Sequence, residues 1–426
     1  MKPPESGADP GEAAVEAARQ ARRWPKGLYV HLPYCPYRCP YCDFNAYVLR
    51  SRAQADEVVD AILREAEGWA RLGGAREGGF RTLYLGGGTP TLLTPAQIRR
   101  LLAGLRHLLP LDALEEVTVE ANPGTLTPAR LEALVEGGVG RVSLGAQSMD
   151  PLELRRLGRW QSPAQVERGV RLCRAHGIAN VNLDVMFAIP GQSLASLMHT
   201  LDALLALEPQ HVSAYCLTLE PGTPFFEQWS QGRLRVAGER QQATMYSRVV
   251  ERLQQGGWRR YEVSNFARPG YESAHNLIYW RHEEYLGLGP GAHSFWQGVR
   301  FATIRDPGAY ASAAEAWARR PGATVAFAER LTVRQRMEER LMLALRLEEG
   351  LDRRRFAADF GLWPEEAFGG AAWDELEAAG LLVREADRIR LTDRGMMVAD
   401  AIVATITATL PRARRATADA TPTPGR

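Results

Sequence analysis

From Gly27 onward, short β-rich apolar runs recur along the chain: GLYVHL, TLYLGG, EVTVE, RVSLGA, VNLDVMF and HVSAYCL. The stretches between them carry apolar residues at helical spacing. Two of these stretches open with clear start signals. In Thr94-Pro95-Ala96-Gln97 and Ser162-Pro163-Ala164-Gln165 a hydroxyl caps the helix, proline fills the first turn, and glutamine stands at the capping-box position. Strand–helix–strand repetition predicts a parallel sheet with right-handed crossovers. Six units are too few for a closed eightfold barrel. The expected fold is therefore α/β, a curved, partial (β/α)6 barrel with its chemistry at the C-terminal strand ends. A doubly wound open sheet is the alternative.

Outside these units the pattern changes. Residues 1–24 are rich in Pro, Gly, Ala and charge, and read as a flexible leader with one marginal helix from Glu12 to Arg23. Residues 25–265 form the expected core, ending with helix Gln241–Gln255 and one more strand in RRYEVSNFA. Residues 266–329 read as a connecting region of aromatic and glycine-rich loops. From Arg330 to position 410 the chain turns helical, then shows the pair LLVRE and RIRLT, a winged-helix-like pattern. A lid or packing domain explains that pattern without nucleic acid. The Pro/Thr/Arg-rich tail, 411–426, is expected to be disordered.

Composition narrows the function. A formal charge of +2 over 426 residues gives no electrostatic case for nucleic acid. No apolar run approaches the ~18 residues of a membrane span, and the polar N-terminus lacks a signal-peptide core. A cytoplasmic location is expected. The five cysteines do not suit a secreted disulfide scaffold. Cys173 and Cys216 stand alone in apolar settings and read as buried core residues. The other three form CxxxCxxC, as Cys35, Cys39 and Cys42 in CPYRCPYC, directly after the first strand.

Thiolates are the ligands of iron–sulfur clusters. Three of them leave one iron of a [4Fe–4S] cubane open to a ligand with amino and carboxylate groups. Zinc is the competing reading, but structural zinc takes four protein ligands, and the nearby His31 lies on a strand. Further candidates follow later strands: the glycine-rich LGGGTPTLL, Glu120 in VTVEANP, Gln147 in RVSLGAQS, Arg159 in RRLGRWQ and Asp184 in VNLDVMF.

These motifs, in this order, resemble the radical S-adenosylmethionine (SAM) superfamily. LYVHLPYCPYRCPYCDFNAY is similar to its coproporphyrinogen-dehydrogenase-like branch. The resemblance implies a cluster on the three cysteines and SAM held by Gly87, Gly88 and Thr89 at its amino end. It implies that Glu120 and Gln147 read polar groups, that Arg159 pairs with the SAM carboxylate, and that Asp184 takes the ribose hydroxyls. Tyr29, in YVH, resembles a tyrosine that hydrogen-bonds near SAM or the tetrapyrrole.

Within this branch the oxygen-independent coproporphyrinogen III dehydrogenases carry a further cysteine and a longer N-terminal arm. Here Phe44 takes that position at the cofactor site. CDFN, together with HNxxYW at His275, Asn276, Tyr279 and Trp280, resembles the HemW family of haem chaperones instead. That resemblance implies haem as cargo, acceptors such as respiratory enzymes, and an electron donor of the flavodoxin or ferredoxin kind. It leaves open peripheral contact with the inner membrane. It assigns no catalytic residue. Imidazole is a usual haem ligand, with Tyr279 and Trp280 offering flat apolar area. His293, in GAHSFW, is a rival ligand to His275.

Overall fold

The computed structural model describes residues 9–72 and 76–408. The first eight positions of the expected leader and the 411–426 tail lie outside the described residues. Six parallel strands lie side by side in chain order: β1 (Gly27–Leu32), β2 (Thr82–Gly87), β3 (Glu116–Ala121), β4 (Arg141–Gln147), β5 (Asn180–Phe187) and β6 (His211–Cys216). They are the expected (β/α)6 unit. Alternation along each strand divides the sheet's faces. Val142, Leu144 and Ala146 of β4, with Val181, Leu183 and Val185 of β5, join the main apolar core. Arg141, Ser143 and Gln147, and Asn182 and Asp184, occupy the intervening positions of β4 and β5.

The helices begin where the sequence marks them. Thr94 Oγ1 accepts from Gln97 N–H at 3.3 Å, and Gln97 Oε1 accepts from Thr94 N–H at 2.9 Å. Gln165 Oε1 likewise accepts from Ser162 N–H at 2.8 Å.

Three expectations need correction. The leader is not flexible throughout. Helix α1 (Pro10–Gln20) is capped by Asp9, and its Ala14, Ala17 and Ala18 are fully buried in the main core. A run of small side chains lets this helix lie close to its neighbours; an added Cβ on Gly11 would stand 2.7 Å from Gly322 O.

The 266–329 region is not a connector. Tyr285–Leu288 pairs in parallel with β1, and His293–Trp296 and Val299–Thr303 extend the same twelve-stranded sheet antiparallel. Gln297 and Gly298 have φ of 51° and 70°, as a two-residue type I′ hairpin requires. RRYEVSNFA is two short strands, Arg259–Arg260 and Asn265–Ala267, the second antiparallel to β6.

Residues 261–263, 276–283 and 330–408 form a second compact unit. Met337, Leu341, Phe356, Phe368, Trp373, Ile389 and Ile406 are its core. Its sheet has three antiparallel strands: Leu351–Asp352, Arg388–Leu391 and Leu382–Arg384. Helices Val333–Ala344, Arg353–Phe360 and Gly370–Ala378 complete the winged-helix-like arrangement. No single boundary falls at 265: the chain passes between the units five times, because 264–275 and 284–329 belong to the first unit.

Candidate functional site

The cysteine loop leaves the C-terminal end of β1 and is held along its length. Tyr47 N–H donates to Pro33 O at 2.7 Å, Leu49 N–H to Cys35 O at 3.0 Å, and Cys42 N–H to Cys39 O at 3.2 Å. His31 ties strand to loop. Its Nε2 lies 2.9 Å from Asn45 O, and its Nδ1 lies 3.0 Å from Tyr29 Oη. A carbonyl only accepts, so His31 carries its proton on Nε2 and Tyr29 donates to Nδ1. With both ring nitrogens engaged, His31 is no zinc ligand. Among the described residues, no three His, Cys, Asp or Glu side chains converge as a single-ion site.

The three thiols lie half-buried and electrostatically coupled. Burial raises the pKa of Cys35, opposed by a hydrogen bond from Thr89 Oγ1 at 3.5 Å. Burial first, then the neighbouring thiols, pushes Cys42 up to about 11. Such thiols keep their protons until a cationic centre displaces them. Arg159 supplies nearby positive charge, with Nε 3.1 Å from Tyr41 Oη. Burial opposes its charge, but Tyr41, Cys39 and Tyr37 outweigh that and raise its pKa. Tyr37 stacks on Trp160 at 4.4 Å between ring centroids.

At the end of β2, glycine is required by space. Gly87 has φ of 109°, and a Cβ there would meet the His31 ring at 2.5 Å; a Cβ on Gly88 would meet Tyr34 O at 2.6 Å. The N–H groups of this turn are all taken. Gly87 donates to Glu120 Oε2 at 3.0 Å, Gly88 to Leu32 O and Thr89 to Tyr34 O, both at 2.8 Å. The turn can therefore offer a ligand carbonyl oxygens, which suit an ammonium.

Glu120 is half-buried at the end of β3. Tyr84 Oη donates to its Oε1 at 2.9 Å. Burial outweighs that bond, and with the like charge of Asp184 it lifts the Glu120 carboxyl to about 7. Asp184 accepts from Asn182 Nδ2 at 2.7 Å and from Ser143 Oγ at 3.3 Å; burial raises its pKa despite these bonds, Ser213 and the charge of Arg159. Gln147 is buried at φ of 67°, beside a register shift in the β4–β5 pairing. A non-glycine residue in that region is strained and marks a functional strand end.

The expected set thus divides. Cys35, Cys39, Cys42, Thr89, Glu120, Arg159 and Asp184 influence one another directly. Tyr29 joins them through His31 and through its like-charge effect with Glu120. Phe44 is 60% exposed and stands outside this buried network.

The haem expectation at His275 needs correction. His275 is 1% exposed, its Nδ1 lies 2.7 Å from Thr82 Oγ1, and its ring stacks on Tyr84 at 5.0 Å. Burial lowers its pKa to about 3. A macrocycle cannot approach a ring enclosed in this way. Asn276, Tyr279 and Trp280 are half-buried on the helix Ala274–Trp280. His293 is exposed, and burial of part of its ring, with Arg300 and Arg305, keeps it neutral to lower pH.

Residues the sequence reading passed over complete the site: His31, Asn45, Tyr84, Ser143 and Asn182. Alternation on the strands was the available signal for His31, two residues from Tyr29, for Asn182, two from Asp184, and for Ser143, four from Gln147.

Comparison with known proteins follows the same lines. The Radical SAM superfamily profile matches residues 29–204, and that of the HemN C-terminal domain matches 331–398. The chain is 34% identical to Heme chaperone HemW of Bacillus subtilis (strain 168) over 378 residues, covering 88% of this chain and 98% of that protein. It is 35% identical to the mitochondrial radical S-adenosyl methionine domain-containing protein 1 of Danio rerio, over 89% of this chain and 86% of the other. Coproporphyrinogen III oxidase (HemN) from Escherichia coli shares the fold at a TM-score of 0.80 and 23% identity, with 94% of each chain covered. Among the described residues no helix is long and apolar enough to cross a membrane.

Proposed function

The chain belongs to the HemW family of radical SAM proteins, and from that premise we propose that it is a haem chaperone, carrying a [4Fe–4S] cluster and SAM and delivering haem to acceptor proteins. The observation that carries this reading is the 34% identity over 98% of the Bacillus subtilis haem chaperone. The donor set fits the cofactors. Cys35, Cys39 and Cys42 would hold three irons and leave the fourth to SAM. The half-buried acids Glu120 and Asp184 lie where a cationic ligand would relieve their desolvation. Carbonyls of the Gly87–Gly88 turn would take its ammonium, and Arg159 its carboxylate. When bound, the reduced cluster supplies an electron to the sulfonium of SAM.

The protein's own groups orient and shield. His31 and Asn45 hold the cysteine loop to β1, and Tyr41 and Tyr37 position Arg159 and Trp160 beside it. For haem, the exposed His293 offers a neutral imidazole, the ligating form, and is a better placed axial ligand than His275. Haem added anaerobically to the reconstituted protein should give a shifted Soret band. His293→Ala should change that band, and His275→Ala should leave it in place. The reverse result would restore the HNxxYW histidine as ligand.

The rival activity is oxidative decarboxylation of coproporphyrinogen III. Phe44 stands where the dehydrogenases resembled above place a further cysteine. With SAM, reductant and coproporphyrinogen III, this protein should form no protoporphyrinogen; sustained turnover would overturn the chaperone reading.

A further inference from the structure

The inner face of the sheet continues below the SAM residues as a polar lining. In register, Tyr84 of β2, Thr118 of β3, Arg141 of β4 and Asn180 of β5 form one row across adjacent strands. Parallel strands in register send row partners to the same face. The next row up holds Ser143 and Asn182, which bond Asp184. The row of Arg141 therefore lies deeper than the SAM site, towards the N-terminal strand ends.

Arg141 is 3% exposed, yet its buried Nε and Nη1 have no hydrogen-bond partner. Among the described residues none is ion-paired to it. Beside it, Thr118 Oγ1 and Asn180 Oδ1 are also buried and unpartnered, and Thr118 is 0% exposed. The groups that feel Arg141 are His211 and Tyr84. Both are neutral: burial holds His211 far below its ordinary pKa and Tyr84 far above. The carboxylate of Glu116, on β3, is taken up by Ser273 Oγ and by the N–H groups of Ala274 and His275. Glu120 is satisfied by Tyr84 and Gly87.

A guanidinium is charged at every physiological pH. Buried without a counter-ion it is among the most costly groups in a protein interior, and in native structures such a charge is paired. The row partners of Arg141 on β3 and β5 supply a hydroxyl and an amide but no anion. We propose that Arg141 and Thr118 form an internal binding site for a small oxyanion of the carboxylate class, separate from the cluster and SAM site. Arg141 supplies the charge and two N–H donors, and the Thr118 hydroxyl donates a third bond. Asn180 Oδ1 meets a water or a hydroxyl carried by the anion.

The test uses the full-length, cluster-reconstituted protein with sodium formate and sodium bicarbonate as probes, against sodium fluoride at equal ionic strength. A ligand bound by the folded state alone raises the melting temperature with concentration. Wild-type protein should gain about 1.5 °C at tenfold the dissociation constant, by the usual conversion of a one-site linkage into a melting shift. Arg141→Met should show no gain beyond the fluoride control, and Arg141→Lys should recover part of it. Thr118→Val, which keeps the charge, should weaken formate roughly fivefold, as loss of one hydrogen bond to a charged group implies. A crystal of the wild-type protein grown in bromide should show an anomalous peak beside Arg141, which reads the site even where a variant fails to fold. Equal responses in wild type and Arg141→Met, or water alone at Arg141, would overturn the proposal.

Discussion

Glu120 receives two hydrogen bonds and still titrates near 7, because its burial and the charge of Asp184 exceed what Tyr84 and Gly87 return. The folded-state pKa lies above the unfolded one, so the native state binds the extra proton between about 4.5 and 7. This contribution to stability is full below the unfolded pKa and is lost as pH rises through 7. Glu120→Gln should therefore flatten stability against pH across that window. At pH 8 the variant should gain, on the order of 3 kcal/mol at most, measured by denaturant unfolding. The same group makes SAM affinity pH-dependent: a cationic ligand favours the carboxylate, so affinity should rise from pH 6 to pH 8 in wild type and stay level in Glu120→Gln. Isothermal titration in buffers of different ionisation enthalpy reads the proton released. At the cluster, Cys35→Ala, Cys39→Ala and Cys42→Ala should each abolish the ~4 irons and ~4 sulfides of the reconstituted protein, whereas Cys173→Ala should retain them. At this scale the sequence was legible where a reactive side chain sits in a recognisable turn, as with the cysteines and Glu120. It was silent on His31 and Asn182, because their roles arise from neighbours 14 and 29 residues away along the chain.

Parallel strands were legible as elements because each β/α unit repeats the same apolar run and capped helix. The strands after 280 were not. YLGL, HSFW and VRFAT are short, separated by glycines, and pair with partners that the repeat does not predict, YLGL in parallel with β1 and the other two antiparallel. Helix α1 was legible as a marginal helix, Glu12 to Arg23, but its burial was not: its buried face is alanine, which carries little hydrophobic periodicity. Its burial makes it part of the fold, so Ala17→Glu should cost about 3 kcal/mol or more, as an unpaired charge forced into a core does. Gly11→Val should also destabilise, because the Cβ meets the Gly322 carbonyl. Thermal melts of both variants against a control at exposed Glu16 would check this; melts equal to wild type would detach α1 from the core.

For the whole molecule, the family resemblance reached further than the site residues alone. The parallel core and the helical C-terminal region appear as expected, and the corrections concern how segments are shared between two units and which histidine is exposed. A haem chaperone carries haem to other proteins, and the proposed function rests on that transfer. Rapid mixing of haem-loaded protein with the apo form of a respiratory haem protein tests it most directly, followed by the absorbance of the acceptor. Direct delivery predicts that the observed rate rises with acceptor concentration. A rate independent of acceptor, equal to haem loss into buffer, or a failure to retain haem at all, would contradict it.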